Sequence, residues 1–279
     1  MKYLLVNKKT NNSNCEEKLN ELRNSLTEEF EEVNVMDDGF THVQFVRSLK
    51  DDDEIVICGG DGTLNYFINE IDTENLKTNV YLKKSGTGND FLVDIGKLDE
   101  EEVLLNDYLK NLPTVYVNGM ERKFINGIGY GIDGYCCEVA DQLKEKSDKK
   151  INYTSIAING LLFHFKPRGA TITIDGETHE FKNVWLAPSM KGRFYGGGMM
   201  IAPNQDRKSD KLSVVTYMSK SKLKALIVFP SIFKGEHIKK DKMVKIFEGK
   251  EIEVKFEMPC ALQIDGETVL NVSSYKVKA

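Results

Sequence analysis

An apolar run, Glu54-Ile55-Val56-Ile57-Cys58, stops at Gly59-Gly60-Asp61-Gly62-Thr63-Leu64-Asn65, and an amphipathic stretch follows directly. Leu64, Phe67, Ile68 and Ile71 recur at i, i+3, i+4 and i+7, the spacing of one apolar helical stripe. A β-branched strand that ends in glycines and then opens a helix exposes backbone N–H groups, and such a helix start favours a phosphate. Glycine lets the phosphate approach the main chain closely. A tight strand-to-helix turn alone would need the glycines but neither the Asp61 carboxylate nor the Thr63 hydroxyl. Asp61 suits a site beside a triphosphate, where Mg²⁺ usually sits. The pattern lacks the lysine of a Walker loop and the spacing of a dinucleotide fingerprint.

A second loop has the same character. Lys84-Ser85-Gly86-Thr87-Gly88-Asn89-Asp90-Phe91 follows the apolar Val80-Tyr81-Leu82, which places small residues and a hydroxyl after another strand. Asn89 or Asp90 would also serve as an ordinary helix cap. Gly-Gly-Asp-Gly-Thr resembles the phosphate loop shared by diacylglycerol kinases, sphingosine-type lipid kinases and NAD kinases. Gly-Thr-Gly-Asn-Asp-Phe resembles the bacterial diacylglycerol kinase and lipid kinase group.

The first ~115 residues alternate strand and helix patterns. Strands are expected at Tyr3–Val6, Val33–Val35, 54–58 and 79–82. Helices are expected over 15–30 with Asn14 as cap, after Thr41, after the first loop, and over 99–112. That rhythm predicts a mostly parallel sheet with helices on both faces, and ligands bind where its strands end. Beyond Pro113 the texture becomes β-rich. Val115-Tyr116-Val117 runs into Asn118-Gly119, a hairpin signal, and 170–181, 212–217, 243–247 and 251–256 follow. Helical interruptions are expected at 134–146, 151–165 and 220–229, and the lysine-rich 141–150 as a solvated helix end or loop. The fold class is therefore α/β plus all-β. An N-terminal three-layer α/β nucleotide-binding domain, NAD-kinase-like by resemblance, spans 1–115. A C-terminal antiparallel β-sandwich domain with helical insertions spans 116–266. The resemblance implies that residues 267–279 return to the first domain.

Bulk properties set limits. The 279 residues carry 38 Lys and Arg against 43 Asp and Glu, a net charge of −5 that gives no reason to expect nucleic-acid binding. Five cysteines without Cys-x-x-Cys spacing argue against zinc and suggest a reducing cytosol. The apolar start is too short for a signal-peptide core, and no stretch reaches the ~18 residues of a membrane span. An enzyme of this kind acting on a lipid would be cytoplasmic and peripheral to the membrane surface, with a homodimer possible.

The resemblance extends further along the chain. Asn7-Lys8-Lys9-Thr10-Asn11 takes the place of the family's Asn-Pro-x-Ser-Gly turn, with only Asn7 matching cleanly; Asn7 and Thr10 are read equally as nucleotide contacts or as solvated loop. Asn126–Asp133 looks like the segment that enters the second domain, and is equally a glycine-rich strand with a bulge. Gly196–Pro203 is close to the family pattern. The family's following Asp-Gly-x-Leu-Asp-Val holds a structural Mg²⁺ through a carboxylate and carbonyls, but here the chain reads Ser209-Asp210-Lys211-Leu212-Ser213-Val214. Asp206, Ser209, Asp210 and Lys211 are the candidates for that metal. Tyr66 stands where relatives carry an acid. Asp-Gly-Glu occurs twice, at Asp175-Gly176-Glu177 and Asp265-Gly266-Glu267, and local chemistry makes each a hairpin turn. The resemblance selects the second pair as catalytic carboxylates.

What the resemblance implies is ATP- and Mg²⁺-dependent transfer of the γ-phosphate to a lipid alcohol, with diacylglycerol first and a sphingoid base or other lipid second. It assigns nucleotide contacts to Asn7, Gly59, Gly60, Gly62, Thr63, Leu64, Asn65, Gly86, Thr87 and Asn89, and catalytic carboxylates to Asp61, Asp265 and Glu267. The alcohol would sit between the domains. A soluble-substrate kinase of NAD-kinase type and a non-catalytic nucleotide- or lipid-binding regulator remain as alternatives.

Overall fold

The computed structural model describes residues 1–7, 23, 29–85, 88–146 and 151–279. The helix expected over 15–30 and the loop residues Lys8, Lys9, Thr10, Asn11, Gly86 and Thr87 lie outside the described residues. Within that stretch Arg23 is helical, while Phe30, its last residue, opens a strand instead. Contacts divide the chain into two compact units, Met1–Leu112 and Pro113–Ala279.

The first unit is a five-stranded sheet. β1 (Lys2–Val6), β2 (Phe30–Asn34), β3 (Glu54–Gly59), β4 (Asn79–Lys84) and β5 (Val103–Leu104) lie in the order β2-β1-β3-β4-β5. All pairings are parallel except β4 with β5. Alternation sends Leu4, Val6, Val56 and Cys58 into one core cluster, while Leu5, Ile55 and Ile57 are buried on the opposite face. Helix α1 (His42–Ser48) starts where Thr41 was expected to cap it; the Thr41 hydroxyl accepts the Gln44 N–H at 3.3 Å. Helix α2 (Asp61–Glu70) buries Leu64, Phe67 and Ile68, three members of the expected stripe. Helix α3 (Asp90–Asp94) follows the second loop.

No α-helix forms over 99–112; the helical structure there is a single 3₁₀ turn, Asn106–Tyr108. Val103 and Leu105 are buried with Leu104 exposed between them, a two-residue period that suits the β5 edge. The Asn106 side chain then accepts the Val80 N–H at 2.9 Å and donates to the Thr78 carbonyl at 2.9 Å, which ties this segment to β4.

The second unit is an antiparallel β-sandwich of ten strands with helices inserted. Its strands are β6 (Thr114–Val117), β7 (Met120–Lys123), β8 (Gly127–Tyr130), β9 (Arg168–Ile174), β10 (Glu177–Leu186), β11 (Ser189–Met190), β12 (Leu212–Met218), β13 (Val244–Gly249), β14 (Glu251–Ile264) and β15 (Glu267–Lys278). Nine of them follow the order β7-β6-β15-β14-β8-β11-β12-β10-β9, β13 pairs with β12 off this path, and β9 also pairs with β14, so part of the sheet closes on itself. The long β14 makes this possible: Ile252–Phe256 pair with β9 and Leu262–Ile264 with β8, on either side of an irregular stretch. Helices α4 (Ile132–Lys146), α5 (Tyr153–Asn159) and α6 (Lys222–Val228) are the insertions.

Two expectations about boundaries are corrected. Residues 113–115 belong to the second unit, because Thr114 and Val115 pair with β15. The terminal segment does not return to the first domain's sheet. It is β15, paired with β14 along most of its length and with β6, and Val272, Tyr275 and Val277 are buried in the second unit's core.

Candidate active site

In the first unit the phosphate loop is built from the ends of two neighbouring strands. Cys58 and Gly59 pair with Lys83 and Lys84, so the chain leaves β3 and β4 side by side. Gly60 occupies the cap position of α2, and its carbonyl accepts the Leu64 N–H at 3.1 Å as the first helical bond. The Gly62 and Thr63 amides belong to the first turn, where helix geometry supplies no carbonyl partner. Thr63 folds back over Gly59: a Cβ on Gly59 would lie 2.4 Å from the Thr63 hydroxyl oxygen, so only glycine fits there.

Asp61 joins the two loops. Its N–H donates to the Gly88 carbonyl at 2.9 Å, and its carboxylate accepts the Asp90 and Phe91 amides at 2.7 and 3.2 Å. The Ser85 N–H donates to the Gly59 carbonyl at 3.1 Å. A carboxylate on two amides at the start of α3 also complements that helix's dipole. Asp61 is thus a buried clasp between the strand ends, placed beside the α2 amides.

The remaining nucleotide candidates divide by burial. Leu64 and Asn65 are fully buried, and Leu64 belongs to the hydrophobic core, so its side chain cannot reach a ligand. Asn89 caps α3. Asn7 lies one residue past Val6, which pairs with Cys58, and so borders the same strand ends. Tyr66 is exposed on α2, its ring 5.4 Å from His42.

In the second unit, Asp265 and Gly266 form the corner of the β14–β15 hairpin, with φ of 46° and 98°. The Asp265 carboxylate accepts three consecutive amides: Ile125 at 2.6 Å, Asn126 at 2.9 Å and Gly127 at 2.9 Å. Glu267 is the first residue of β15 and is exposed. Asp175 has the same form at its own corner, with φ of 48°, and its carboxylate accepts the Lys250 and Glu251 amides. Both Asp-Gly-Glu segments are hairpins whose aspartate clasps a neighbouring strand.

A buried pair that the sequence reading left unassigned lies nearby. The Tyr195 hydroxyl donates to Asp133 at 2.6 Å, and burial pushes the Asp133 carboxyl up to about 7 against the opposing effect of that hydrogen bond. Asp133 ends the glycine-rich segment 126–133, so the signal was present, but its partner is 62 residues away. Thiol chemistry has no support: burial raises Cys58 to about 12 and Cys260 to about 11.

The groups of the expected metal loop are bonded within the protein. The carbonyl of Ser209 accepts the Lys191 ammonium at 2.9 Å, and those of Asp206 and Lys211 accept the Gln205 amide at 2.9 and 3.0 Å. Asp206 caps the Lys208 N–H, and the exposed Asp210 pairs with Lys250 at 2.6 Å. The Ser209 hydroxyl accepts the Lys211 N–H at 3.1 Å. These loop oxygens already take protein donors, and the Lys191 ammonium brings a positive charge beside them. Among the described residues no group of three or more His, Cys, Asp or Glu side chains could hold a metal. Asp206, Ser209, Asp210 and Lys211, the candidates for a structural Mg²⁺, are thus engaged by protein donors or paired with a cation.

Comparison with known proteins bears on both units. Residues 2–114 match the diacylglycerol kinase catalytic domain, and residues 126–276 match the YegS C-terminal NAD kinase beta sandwich-like domain. The chain is 24% identical over 210 residues to a diacylglycerol kinase of Mycobacterium tuberculosis (strain CDC 1551 / Oshkosh), covering 72% of this chain and 67% of the relative. It is 22% identical over 235 residues to the diacylglycerol kinase of Bacillus subtilis (strain 168), covering 81% and 75%. A crystal structure of a diacylglycerol kinase from Bacillus anthracis str. Sterne superposes with a TM-score of 0.62 at 17% identity, covering 99% of this chain and 92% of that one. At that identity the superposition speaks for the fold alone. Two domain models in sequence, together spanning nearly the whole chain, show that it belongs to the diacylglycerol kinase and lipid kinase family, whose members are phosphotransferases.

Proposed function

We propose that this protein transfers the γ-phosphate of ATP to the hydroxyl of a lipid alcohol, with diacylglycerol the first acceptor and phosphatidic acid the product. The observation that carries this reading is the Asp61 clasp, which fixes two small-residue loops together at the ends of β3 and β4. Beside it the Gly62 and Thr63 amides and the Thr63 hydroxyl supply donors of the kind that cradle phosphate oxygens. Phosphoryl transfer asks a protein mainly for positioning and charge stabilisation, and fixed amides provide both. ATP reacts as its magnesium complex, which neutralises phosphate charge. Asp61, already engaged by two amides, suits contact with that complex through water.

The reaction forms a bond between the acceptor oxygen and the γ-phosphorus and breaks the bond to the β-phosphate oxygen, releasing ADP. The alcohol proton needs an acceptor. Asp265 is spent on three backbone amides and acts as a positioning residue. Glu267, exposed and held next to that turn, is the carboxylate available for the proton. The names of the relatives support diacylglycerol as acceptor. Incubation with [γ-³²P]ATP and a panel of lipid alcohols tests the reading: labelled phosphatidic acid supports it, and label appearing only on NAD would replace it with a soluble-substrate kinase.

A further inference from the structure

We infer that the face formed by α6, the turn Gly160–His164 and the adjoining loops of the second unit docks on an anionic lipid bilayer. The reading rests on the lipid-kinase proposal above, because a lipid acceptor has to be collected from a membrane. Three large apolar side chains stand out into solvent there: Phe163 is 72% exposed, Ile227 69% and Leu223 66%. Leu223 and Ile227 are one helical turn apart on the outer side of α6, while Ala225 on the opposite side is fully buried in the core with Phe229. The helix therefore presents apolar residues on both sides, and only one side is covered by the unit's own core.

The two elements are neighbours. The Lys222 ammonium at the start of α6 donates to the Leu162 carbonyl at 2.9 Å, which ties α6 to the turn that carries Phe163. The Phe163 ring and the Leu223–Ile227 stripe therefore lie on adjoining elements, and exposed apolar surface of this kind marks an interaction site.

Charge selects the occupant. Residues 151–168 and 219–235 contain Lys166, Arg168, Lys220, Lys222, Lys224 and Lys234 and no aspartate or glutamate. The chain as a whole has 43 acidic residues and a net charge of −5, so this region runs against the bulk composition. Lysines flanking an exposed apolar stripe suit a headgroup layer, where the stems lie along the apolar boundary and the ammonium groups meet phosphates. Among the described residues no helix is long and apolar enough to cross a membrane, so surface docking is the mode the helices offer.

Sedimentation of the full chain with phosphatidylcholine vesicles containing about one third phosphatidylglycerol tests this, with pure phosphatidylcholine as reference. The wild type is expected to bind the anionic vesicles and to release them as salt rises. Combining Phe163→Ser, Leu223→Ser and Ile227→Ser is expected to lower the vesicle partition at least ~10-fold with the unfolding midpoint nearly unchanged, because all three side chains are exposed. Replacing Lys166, Lys220, Lys224 and Lys234 with Gln is expected to remove the preference for the anionic vesicles. Equal binding by the triple variant and the wild type, or no binding by the wild type, would overturn the docking surface. A wild type that ignores vesicles but dimerises, with a monomeric triple variant, would assign the face to a second copy instead. Phosphorylation of a short-chain diacylglycerol, dispersed as monomers, separates this proposal from the one it rests on. Vesicle binding lost in the triple variant without transfer to any lipid by the wild type would sink the kinase reading alone. Transfer with no vesicle binding would sink the docking surface alone.

Discussion

Asp265 and Gly127 are joined twice: the Asp265 carboxylate accepts the Gly127 amide at 2.9 Å, and the Asp265 N–H donates to the Gly127 carbonyl at 3.1 Å. With the Ile125 and Asn126 amides on the same carboxylate, the hairpin corner before Glu267 is locked to the strand that enters β8. Asp265, which the family likeness marks as catalytic, therefore also anchors the turn that carries the next acidic side chain.

Substitutions in the two Asp-Gly-Glu turns should therefore separate by role. Asp265→Ala is expected to destabilise the chain by about 2–4 kcal/mol, because three amides lose a charged acceptor at once. Glu267→Gln is expected to change stability by less than about 0.5 kcal/mol, as an exposed surface residue. It should nonetheless lower transfer at least ~100-fold if it takes the acceptor's proton. Asp175→Ala is expected to weaken folding modestly and leave transfer intact. Urea unfolding beside a transfer assay checks all three.

Burial of Asp133 gives stability a pH dependence. Its carboxyl is raised to about 7 in the folded chain, far above the usual carboxylate range near 4, so the folded state holds its proton where the unfolded state has lost it. The sign is fixed: this contribution is fully present below about 4, falls as pH rises towards 7, and stays low above. Asp133→Asn is expected to flatten the difference in unfolding free energy between pH 5 and pH 8. An unchanged slope in the variant would contradict the assignment.

The ammonium in the 205–211 loop makes a further difference measurable. Because Lys191 and Gln205 already satisfy the loop carbonyls, EDTA and added Mg²⁺ are expected to leave the unfolding midpoint of the nucleotide-free chain unchanged. Lys191→Met leaves the Ser209 carbonyl without that donor and is expected to destabilise by about 1–3 kcal/mol. A midpoint that falls on chelation would restore a bound metal.

Much of this was legible in the residues. The β3–loop–α2 unit announced itself because its apolar stripe repeats with a helical period and its glycines sit where a strand must stop. Thr41 and Asn118-Gly119 were equally readable, since capping and hairpin chemistry depend on neighbours in sequence. The segment 99–112 misled because Val103-Leu104-Leu105 is too short for its period to show, and the Asn106 bonds to β4 join residues more than 25 apart. Ser209-Asp210 signalled a departure from the family's metal pattern, but the ammonium that meets the Ser209 carbonyl comes from Lys191, 18 residues earlier. Asp-Gly-Glu stayed ambiguous because a tight turn and a catalytic acid use the same residue types. Only the hydrogen bonds of Asp175 and Asp265 show both as clasps, which leaves Glu267 to be distinguished from Glu177 by activity.

The most direct measurement is transfer from [γ-³²P]ATP to diacylglycerol by the wild type, Gly59→Ala and Asp61→Ala. A Cβ at Gly59 would collide with Thr63, and loss of the Asp61 carboxylate would free the Asp90 and Phe91 amides and loosen the second loop from the first. The account expects labelled phosphatidic acid from the wild type and a fall of at least ~100-fold in both variants, with each chain still folded. Labelled product from either variant at the wild-type rate would contradict it, as would a wild type that labels no lipid alcohol at all.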